Sequence, residues 1–453
     1  MVKVTAMSPR TPAPVLARAR PTPPLMALVT LLTLLALVAS GLLVAAPVAE
    51  AARYTPDPGV TFNNPLGTKP AQHRILDHVL KSVDSAPRGS AIRFASWNIR
   101  GGAVVDALVR AHRRGVGVRV VMDKKNAYAL NPNREVNRLQ QELKRAGNRK
   151  RPGFLRSGLR KCKASCRGNN GFGHSKFFLF SQSGKAQRVV VNTSANATDL
   201  SATAQWNDAY TLVGDQVVYD AFVSVFDQMY ADQPVDQPYL QVRSGATVAE
   251  FYPFRGAGTE QDPILRELEQ VRCRGAQNTP GGRTTMRIAM TSWHGGRGIA
   301  IGKRIRELSR QGCDIRVVYA VMGNQILRDL RRGGRGRVAL RHIVQDFDRD
   351  GVYDRYLHTK VLTIQGRYGD ERSATVTING SANWTPLSLI SDEAVLRIDD
   401  RGTLRRYRRW IERLFAHPPK NPPGSRSQIL DRRAVGAPAD NGSADPYARI
   451  QVD

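Results

Sequence analysis

Two short stretches of the chain each carry a histidine and a lysine two residues apart. The first contains His174 and Lys176, and the second contains His358 and Lys360. In an extended segment alternate side chains share a face, so each imidazole and its ammonium neighbour point the same way. Imidazole serves as nucleophile or general acid–base, and ammonium groups stabilise phosphate oxygens. The pairs therefore predict phosphoryl-transfer chemistry in which two histidines cooperate.

Both pairs belong to a longer internal repeat. Each His-x-Lys block is followed by a Ser-x-Asn block and then by an acidic residue. These residues are Ser194, Asn196 and Asp208 in the first copy and Ser381, Asn383 and Glu393 in the second. Matched blocks in the same order indicate a duplication. We expect the lysines and amides to hold phosphate oxygens, and Asp208 and Glu393 to accept the Nδ1–H of an imidazole.

The residues upstream of each block predict the elements that position it. Each copy reads as strand, amphipathic helix, strand, which is typical of a βαβ crossover with a parallel strand pair. The predicted strands cover 92–97, 118–123, 287–293 and 315–319, the helices cover 104–114 and 299–310, and 124–170 and 323–356 are expected to be long basic loops. We therefore expect an α/β fold of two similar α/β/α sandwich domains, each a mixed sheet flanked by helices, related by pseudo-two-fold symmetry.

The duplicated His-x-Lys, Ser-x-Asn and acidic blocks resemble the repeated motif of the phospholipase D superfamily. The resemblance covers roughly residues 90–415. It implies that His174 is the nucleophile, that His358 is the general acid, and that a covalent phosphohistidine forms. The family motif commonly has Asp five residues after the lysine, where this chain has Ser181 and Gln365.

The first residues of the chain have the composition of a targeting segment. Basic residues precede an apolar run over 25–46, and Ala49-Glu50-Ala51 follows it. This order predicts a secretory signal peptide and a secreted protein, with an uncleaved membrane anchor as the alternative. The expected divisions are a signal peptide at 1–51, phospholipase D-like domains at 52–250 and 251–417, and a weakly ordered tail at 418–453.

The chain is strongly basic, and this charge indicates which class of binding partner it favours. It contains 68 Lys and Arg against 38 Asp and Glu, a formal net charge of +30. Such a charge favours polyanions, including phospholipid membrane surfaces and nucleic acid. We expect a monomeric secreted phosphodiesterase of phospholipase D type that hydrolyses phospholipid to phosphatidic acid and head group. An extracellular nuclease of the same superfamily and a non-catalytic polyanion- or membrane-binding protein are the alternatives.

Four cysteines in an exported chain predict disulfides. Three pairings are open, and we expect the two that keep each bridge within one half. The expected pairs are Cys162 with Cys166 and Cys273 with Cys313.

One acidic segment imitates the opening of a calcium-binding loop. It contains Asp346, Asp348 and Asp350, but the twelfth position, where that loop needs Glu, is Leu357. We expect no metal and no cofactor, with calcium at these three aspartates as the alternative.

Overall fold

The computed structural model describes residues 54–256, 261–334 and 336–421. The predicted signal peptide at 1–51 and residues 422–453 of the predicted tail lie outside the described residues. Within the described ranges, no helix is both long enough and apolar enough to cross a bilayer.

The first half, residues 54–231, contains ten strands and five helices among its described elements. The strands are β1 (Gly59–Phe62), β2 (Ala91–Ala95), β3 (Ile99–Arg100), β4 (Gly117–Asp123), β5 (Gly158–Cys162), β6 (Phe177–Ser183), β7 (Ala186–Thr193), β8 (Ala197–Thr198), β9 (Gln205–Trp206) and β10 (Asp208–Val213). The helices are α1 (Lys69–Asp84), α2 (Gly102–Arg113), α3 (Arg134–Glu142), α4 (Asp199–Thr203) and α5 (Gln216–Ala231).

The second half, the described residues between 240 and 421, repeats this arrangement with two extra strands at its start. Its strands are β11 (Leu240–Ser244), β12 (Thr247–Phe251), β13 (Val271–Arg272), β14 (Thr285–Trp293), β15 (Asp314–Met322), β16 (Ala339–His342), β17 (Val344–Gln345), β18 (Arg355–Leu357), β19 (Lys360–Tyr368), β20 (Glu371–Gly380) and β21 (Ala394–Asp399). Its helices are α6 (Pro263–Glu269), α7 (Gly295–Arg310), α8 (Asn324–Arg331), α9 (Pro386–Ile390) and α10 (Arg401–Ala416).

The two main sheets share one strand order. The first runs β1-β10-β7-β6-β2-β4-β5, and the second runs β11-β12-β21-β20-β19-β14-β15-β16, with β13 on β19. The predicted crossovers are confirmed, because β2 pairs with β4 and β14 pairs with β15 in parallel. Since β6 and β19 are antiparallel to these pairs, the ends of β2 and β14 meet the starts of β6 and β19 at one edge of each sheet.

Apolar residues at helical spacing place a helix layer on each face of a sheet. In α2, Val104, Val105, Leu108 and Ala111 are buried against the first sheet, as amphipathic periodicity predicts. The opposite face packs on α5, and the corresponding face of the second sheet packs on α10. One shared core therefore lies between the two α/β/α halves, which confirms the expected fold class.

The predicted loops at 124–170 and 323–356 contain regular structure. The first includes α3 and β5, and the second includes α8 and the strands β16, β17 and β18. These elements carry few apolar residues: in α3 only Val136 and Leu139 are buried. So few apolar residues among many basic ones give no recognisable helix or strand periodicity. The prediction of long loops was therefore wrong.

The chain crosses between the sheets before the expected boundary at 250/251. Strands β11 and β12 pair with β21 of the second sheet, so the second sheet begins at Leu240. The halves are also joined by main-chain pairing, because β9 of the first half runs parallel to β18 of the second. The bridge between Gly173 and Asp392 makes a second such connection.

Candidate active site

The two His-x-Lys blocks lie where β6 and β19 begin, at the edge where the halves meet. His174 donates its main-chain N–H to the carbonyl of Asp392 at 3.1 Å, and His358 donates to the carbonyl of Trp206 at 2.9 Å. Each histidine is thus fixed to the main chain of the opposite half. His174, Lys176 and His358 precede the strands, which differs from the extended strands expected from sequence, and Lys360 is the first residue of β19.

The imidazole of His174 is held by a carboxylate of the second half. Its Nδ1 lies 2.9 Å from both oxygens of Glu393, which is 1% exposed. The Ser381 hydroxyl also acts on this carboxylate and lowers its pKa. A carboxylate accepts from Nδ1–H, so this contact fixes the tautomer and leaves Nε2 as the lone-pair nitrogen.

The imidazole of His358 is held by an amide of the first half. Its Nδ1 lies 2.9 Å from Oδ1 of Asn207. The same oxygen accepts a hydrogen bond from the Ser194 hydroxyl at 3.0 Å. Each half therefore supplies a serine and an acceptor side chain that hold the histidine of the other half. The acceptor is anionic for His174 and neutral for His358.

Asn207 occupies the place that sequence reasoning gave to Asp208. Asp208 instead accepts hydrogen bonds on Oδ2 from the Tyr407 hydroxyl at 2.6 Å and from Asn379 at 3.3 Å. Three residues separate α4 from Asn207, whereas two separate α9 from Glu393. This one-residue insertion shifts the register, so the expected role of Asp208 was wrong, while Glu393 lies where it was expected. These spacings are counted from helix ends that only the structure shows, so the sequence alone provided no signal for Asn207.

Both lysines are buried beside their histidines. Lys176 is 0% and Lys360 is 3% exposed. Each donates from Nζ at 2.6 Å to the carbonyl of the histidine two residues earlier. Burial is the main cause that lowers the pKa of both histidines, and the charges of both lysines lower it further, including that of the lysine from the opposite half.

The two amides of the repeat, Asn196 and Asn383, lie in matching turns at the same edge. The main-chain N–H of Asn196 donates to Ser201 and that of Asn383 donates to Ser388, both at 3.1 Å. The Asn383 side-chain oxygen also accepts from the N–H of Ser292 at 3.2 Å. Both amides are almost fully buried. The structure therefore brings all ten predicted site residues to the junction of the halves.

Comparison with protein families supports the duplication seen in the structure. The family model described as the PLD-like domain of cardiolipin synthase matches residues 80–230 and 282–415. The matches cover well over half of the chain and fall one on each half. The chain belongs to the PLD-like domain family.

Solved structures share this PLD-like fold at low sequence identity. A polyphosphate kinase from Porphyromonas gingivalis is 12% identical with a TM-score of 0.53, and the match covers 84% of this chain but 54% of the kinase, about half its length. A phosphatidylserine synthase from Haemophilus influenzae is also 12% identical, with a TM-score of 0.50 and coverage of 79% and 86%. A search of curated protein sequences gave no significant match.

Burial controls protonation in this PLD-like site. Desolvation lowers the pKa of His174 to about 4, although Glu393 raises it in opposition. Burial alone would raise the pKa of Glu393, but His174, Lys176 and Ser381 outweigh it and lower the pKa. Burial, followed by the charges of the two lysines, places the pKa of His358 well below its usual value. Near pH 7 both imidazoles are neutral and Glu393 is anionic.

Two buried carboxylates brace the loop that carries His174 in the first PLD-like half. Asp123 accepts from the N–H of Gly173 at 3.0 Å, and Asp392 accepts from the N–H of Cys166. A Cβ on Gly173 would lie only 3.2 Å from the Cys166 sulfur, so the loop packs directly on the disulfide. Sequence reasoning missed both carboxylates. The structure contains the two expected bridges, Cys162–Cys166 and Cys273–Cys313.

The acidic segment lies in the insertion between β17 and β18 of the second PLD-like half. Carboxylate oxygens of Asp346, Asp348 and Asp354 lie within 4.8 Å of one another. Asp350, the third residue of the calcium-like pattern, instead accepts from the N–H of Val352 at 2.8 Å. Main-chain N–H groups of the same loop also donate to Asp346 and Asp354. Hydrogen bonds within the turn thus account for much of this cluster.

Proposed function

We propose that this protein is a phosphodiesterase that cleaves a phosphodiester through a covalent phosphohistidine on His174. The observation that carries the proposal is the unequal support of the two imidazoles. A buried anion, Glu393, holds His174, and a neutral amide, Asn207, holds His358. An anion stabilises the positive charge that an imidazole gains on forming a bond to phosphorus. A neutral acceptor leaves the proton of an imidazolium easier to release, which suits a general acid.

In the first step Nε2 of His174 attacks phosphorus and the bond to the leaving oxygen breaks. His358 supplies the proton that this oxygen needs. Burial and lysine charge lower its pKa in the free enzyme, but the anionic substrate offsets the lysines, so we expect His358 to take up a proton when substrate binds. Lys176 and Lys360 balance the charge of the phosphate oxygens, and Asn196 and Asn383 supply neutral polar groups beside them.

In the second step the phosphohistidine is resolved. His358, now neutral, accepts a proton from water as the water oxygen attacks phosphorus. The bond between phosphorus and His174 breaks, and the imidazole is restored. A primary alcohol that replaces water in this step would give a transferred phosphodiester. The lysines provide the positive charge that phosphoryl transfer needs, so the proposal requires no metal.

For the substrate we propose a phospholipid, hydrolysed outside the cell to phosphatidic acid and head group by a secreted monomer. The matching family model is described as belonging to cardiolipin synthase, a phospholipid enzyme, which supports this choice. The predicted signal peptide supports export.

A nuclease is the second candidate, and one surface favours it. Two adjoining cavities of about 770 and 830 Å³ on the second half are lined by arginines: Arg274, Arg283, Arg316, Arg331, Arg337 and Arg341. Such a surface would bind a phosphate backbone in a salt-sensitive manner. It lies at the starts of β14 and β15, however, and a nine-residue strand separates this edge from the histidines by about 27 Å. The arginines therefore do not line the candidate active site.

The test is a comparison of substrates in the presence of EDTA. Purified protein is incubated with phosphatidylcholine vesicles and with single-stranded DNA, alongside His174→Asn and His73→Asn. His73 is partly exposed on α1, where it hydrogen-bonds the carbonyl of Lys69, and is the matched control. We expect choline release by the wild type and by His73→Asn, and none by His174→Asn. DNA cleavage without choline release would favour the nuclease, and loss of all activity in EDTA would remove the metal-free mechanism.

A further inference from the structure

Three exposed apolar side chains belong to segments that adjoin the loop of His174. Large apolar side chains exposed to this degree are uncommon in the described chain. The three are Tyr128 at 43%, Leu130 at 86% and Ile390 at 42% exposure. The first two follow β4, and Ile390 lies three residues before Glu393. Clustered exposure of this kind marks an interaction surface.

Leu130 is held at the tip of a tight and well-braced turn. Tyr128 and Asn131 exchange main-chain hydrogen bonds of 3.3 and 3.1 Å, so Ala129 and Leu130 form the tip. The Asn131 amide donates to the carbonyl of Lys125 at 3.1 Å and accepts from Arg100. The main chain of the turn is thus held in place and presents Leu130 to solvent, so little main-chain conformational entropy is lost when this side chain is buried.

Phe172 connects this turn to Ile390 and to the nucleophile. The ammonium group of Lys125 lies 4.0 Å from the centre of the Phe172 ring. The N–H of Phe172 donates to the hydroxyl of Ser391, next to Ile390, at 3.1 Å. Its carbonyl accepts from the N–H of His174 at 3.0 Å. The apolar rim, defined as Tyr128, Leu130, Phe172 and Ile390, is therefore continuous with the His174 loop.

We propose that the apolar rim docks the enzyme on an anionic phospholipid bilayer, with Leu130 inserted below the head groups. The inference rests on the proposed phospholipase function and specifies how the substrate is reached. Lys124 and Lys125, both exposed, lie beside the rim and match the negative surface of such a membrane. An aliphatic tip flanked by cations suits the boundary between head groups and acyl chains. A nucleic acid offers no counterpart to an exposed leucine.

The test measures vesicle binding in the His174→Asn background, so that turnover cannot change the lipid. The probe is vesicles of phosphatidylcholine and phosphatidylglycerol. We expect Leu130→Ser to weaken binding by about tenfold or more, the order associated with burying one leucine side chain. The matched control is Phe154→Ser. Phe154 is 60% exposed, but its turn packs on the start of β4, at the sheet edge opposite the site. We expect this control to bind as the parent does.

Thermal unfolding checks that both variants are folded, and their binding results then decide the inference. If Leu130→Ser binds vesicles as the parent does, or if both variants bind equally weakly, the proposal that the rim docks on the bilayer is wrong. Turnover of the soluble substrate bis(p-nitrophenyl) phosphate by wild type and by Phe154→Ser tests the proposed chemistry separately. If turnover is present and Leu130→Ser binds normally, the docking proposal is wrong and the proposed phosphodiesterase function stands. If turnover is absent with the soluble ester and with lipid, the proposed function has failed whatever the vesicles show.

Discussion

Replacing Glu393 by glutamine tests the unequal support of the two histidines most directly. The substitution keeps the shape and an acceptor oxygen but removes the charge beside His174, whose Nδ1 lies 2.9 Å from the carboxylate. With charge centres about 4 Å apart and an effective dielectric constant of about 20, that charge contributes about 4 kcal/mol. The retained hydrogen bond offsets part of this loss. We therefore expect kcat to fall by about 10²- to 10³-fold.

The assay is steady-state turnover of bis(p-nitrophenyl) phosphate, with Glu250→Gln as the matched control. Glu250 is also a buried carboxylate, but it contacts Tyr239 and Gln241 instead of either histidine. The same chemical change there leaves the imidazoles and the site lysines untouched, so we expect kcat to stay within about threefold of wild type, a loss below 1 kcal/mol. Equal losses in the two variants, or a loss in Glu393→Gln below about tenfold, would refute the reasoning.

Three further outcomes follow from the site and its support. With a p-nitrophenyl ester, whose leaving group needs no proton, rapid quench of His358→Ala in denaturant at alkaline pH, where the P–N bond survives, should show accumulated phosphoenzyme, and His174→Ala should show none. Asn207→Asp should raise the pKa of His358, so the alkaline limb of the kcat–pH profile with an alkyl leaving group should move to higher pH. Burial raises the pKa of Asp392 to about 7, so the folded protein holds a proton that the unfolded chain releases above about pH 4. The free energy of unfolding in urea of the wild type, minus that of Asp392→Asn, should then fall by up to about 1.4 kcal/mol per pH unit between about pH 4 and 7, because the histidines whose pKa is lowered contribute equally to both proteins.

The repeat made most of the fold predictable. The paired blocks require two similar domains, and the alternation of apolar strands with the amphipathic helices α2 and α7 identifies each crossover. The pairing of β2 with β4 and of β14 with β15 follows from that alternation. The short, polar elements between 124 and 170 and between 323 and 356 were not predictable, because α3 buries only Val136 and Leu139 among its residues. Their order comes from tertiary contacts, which override weak local patterns.

The candidate site shows where sequence spacing loses accuracy. His174, Lys176, His358 and Lys360 were identifiable from residue type and spacing alone. Asn207 was not, because successive side chains of an extended chain face opposite ways and a single inserted residue exchanges one neighbour for the next. The roles of Asp123 and Asp392 were also hidden, since both support the His174 loop through main-chain N–H groups that any residue can provide.

The main-chain links between the halves have a consequence for substrate orientation. Each histidine is fixed to the opposite half, so neither half contains a complete imidazole–acceptor unit of its own. Because the first copy has an amide, Asn207, where the second has an acid, Glu393, the two duplicated halves are no longer chemically equivalent. A diester with two different ends would then be productive in only one of its two directions across the junction, and the choice of which ester bond breaks would be encoded by residues 207 and 393.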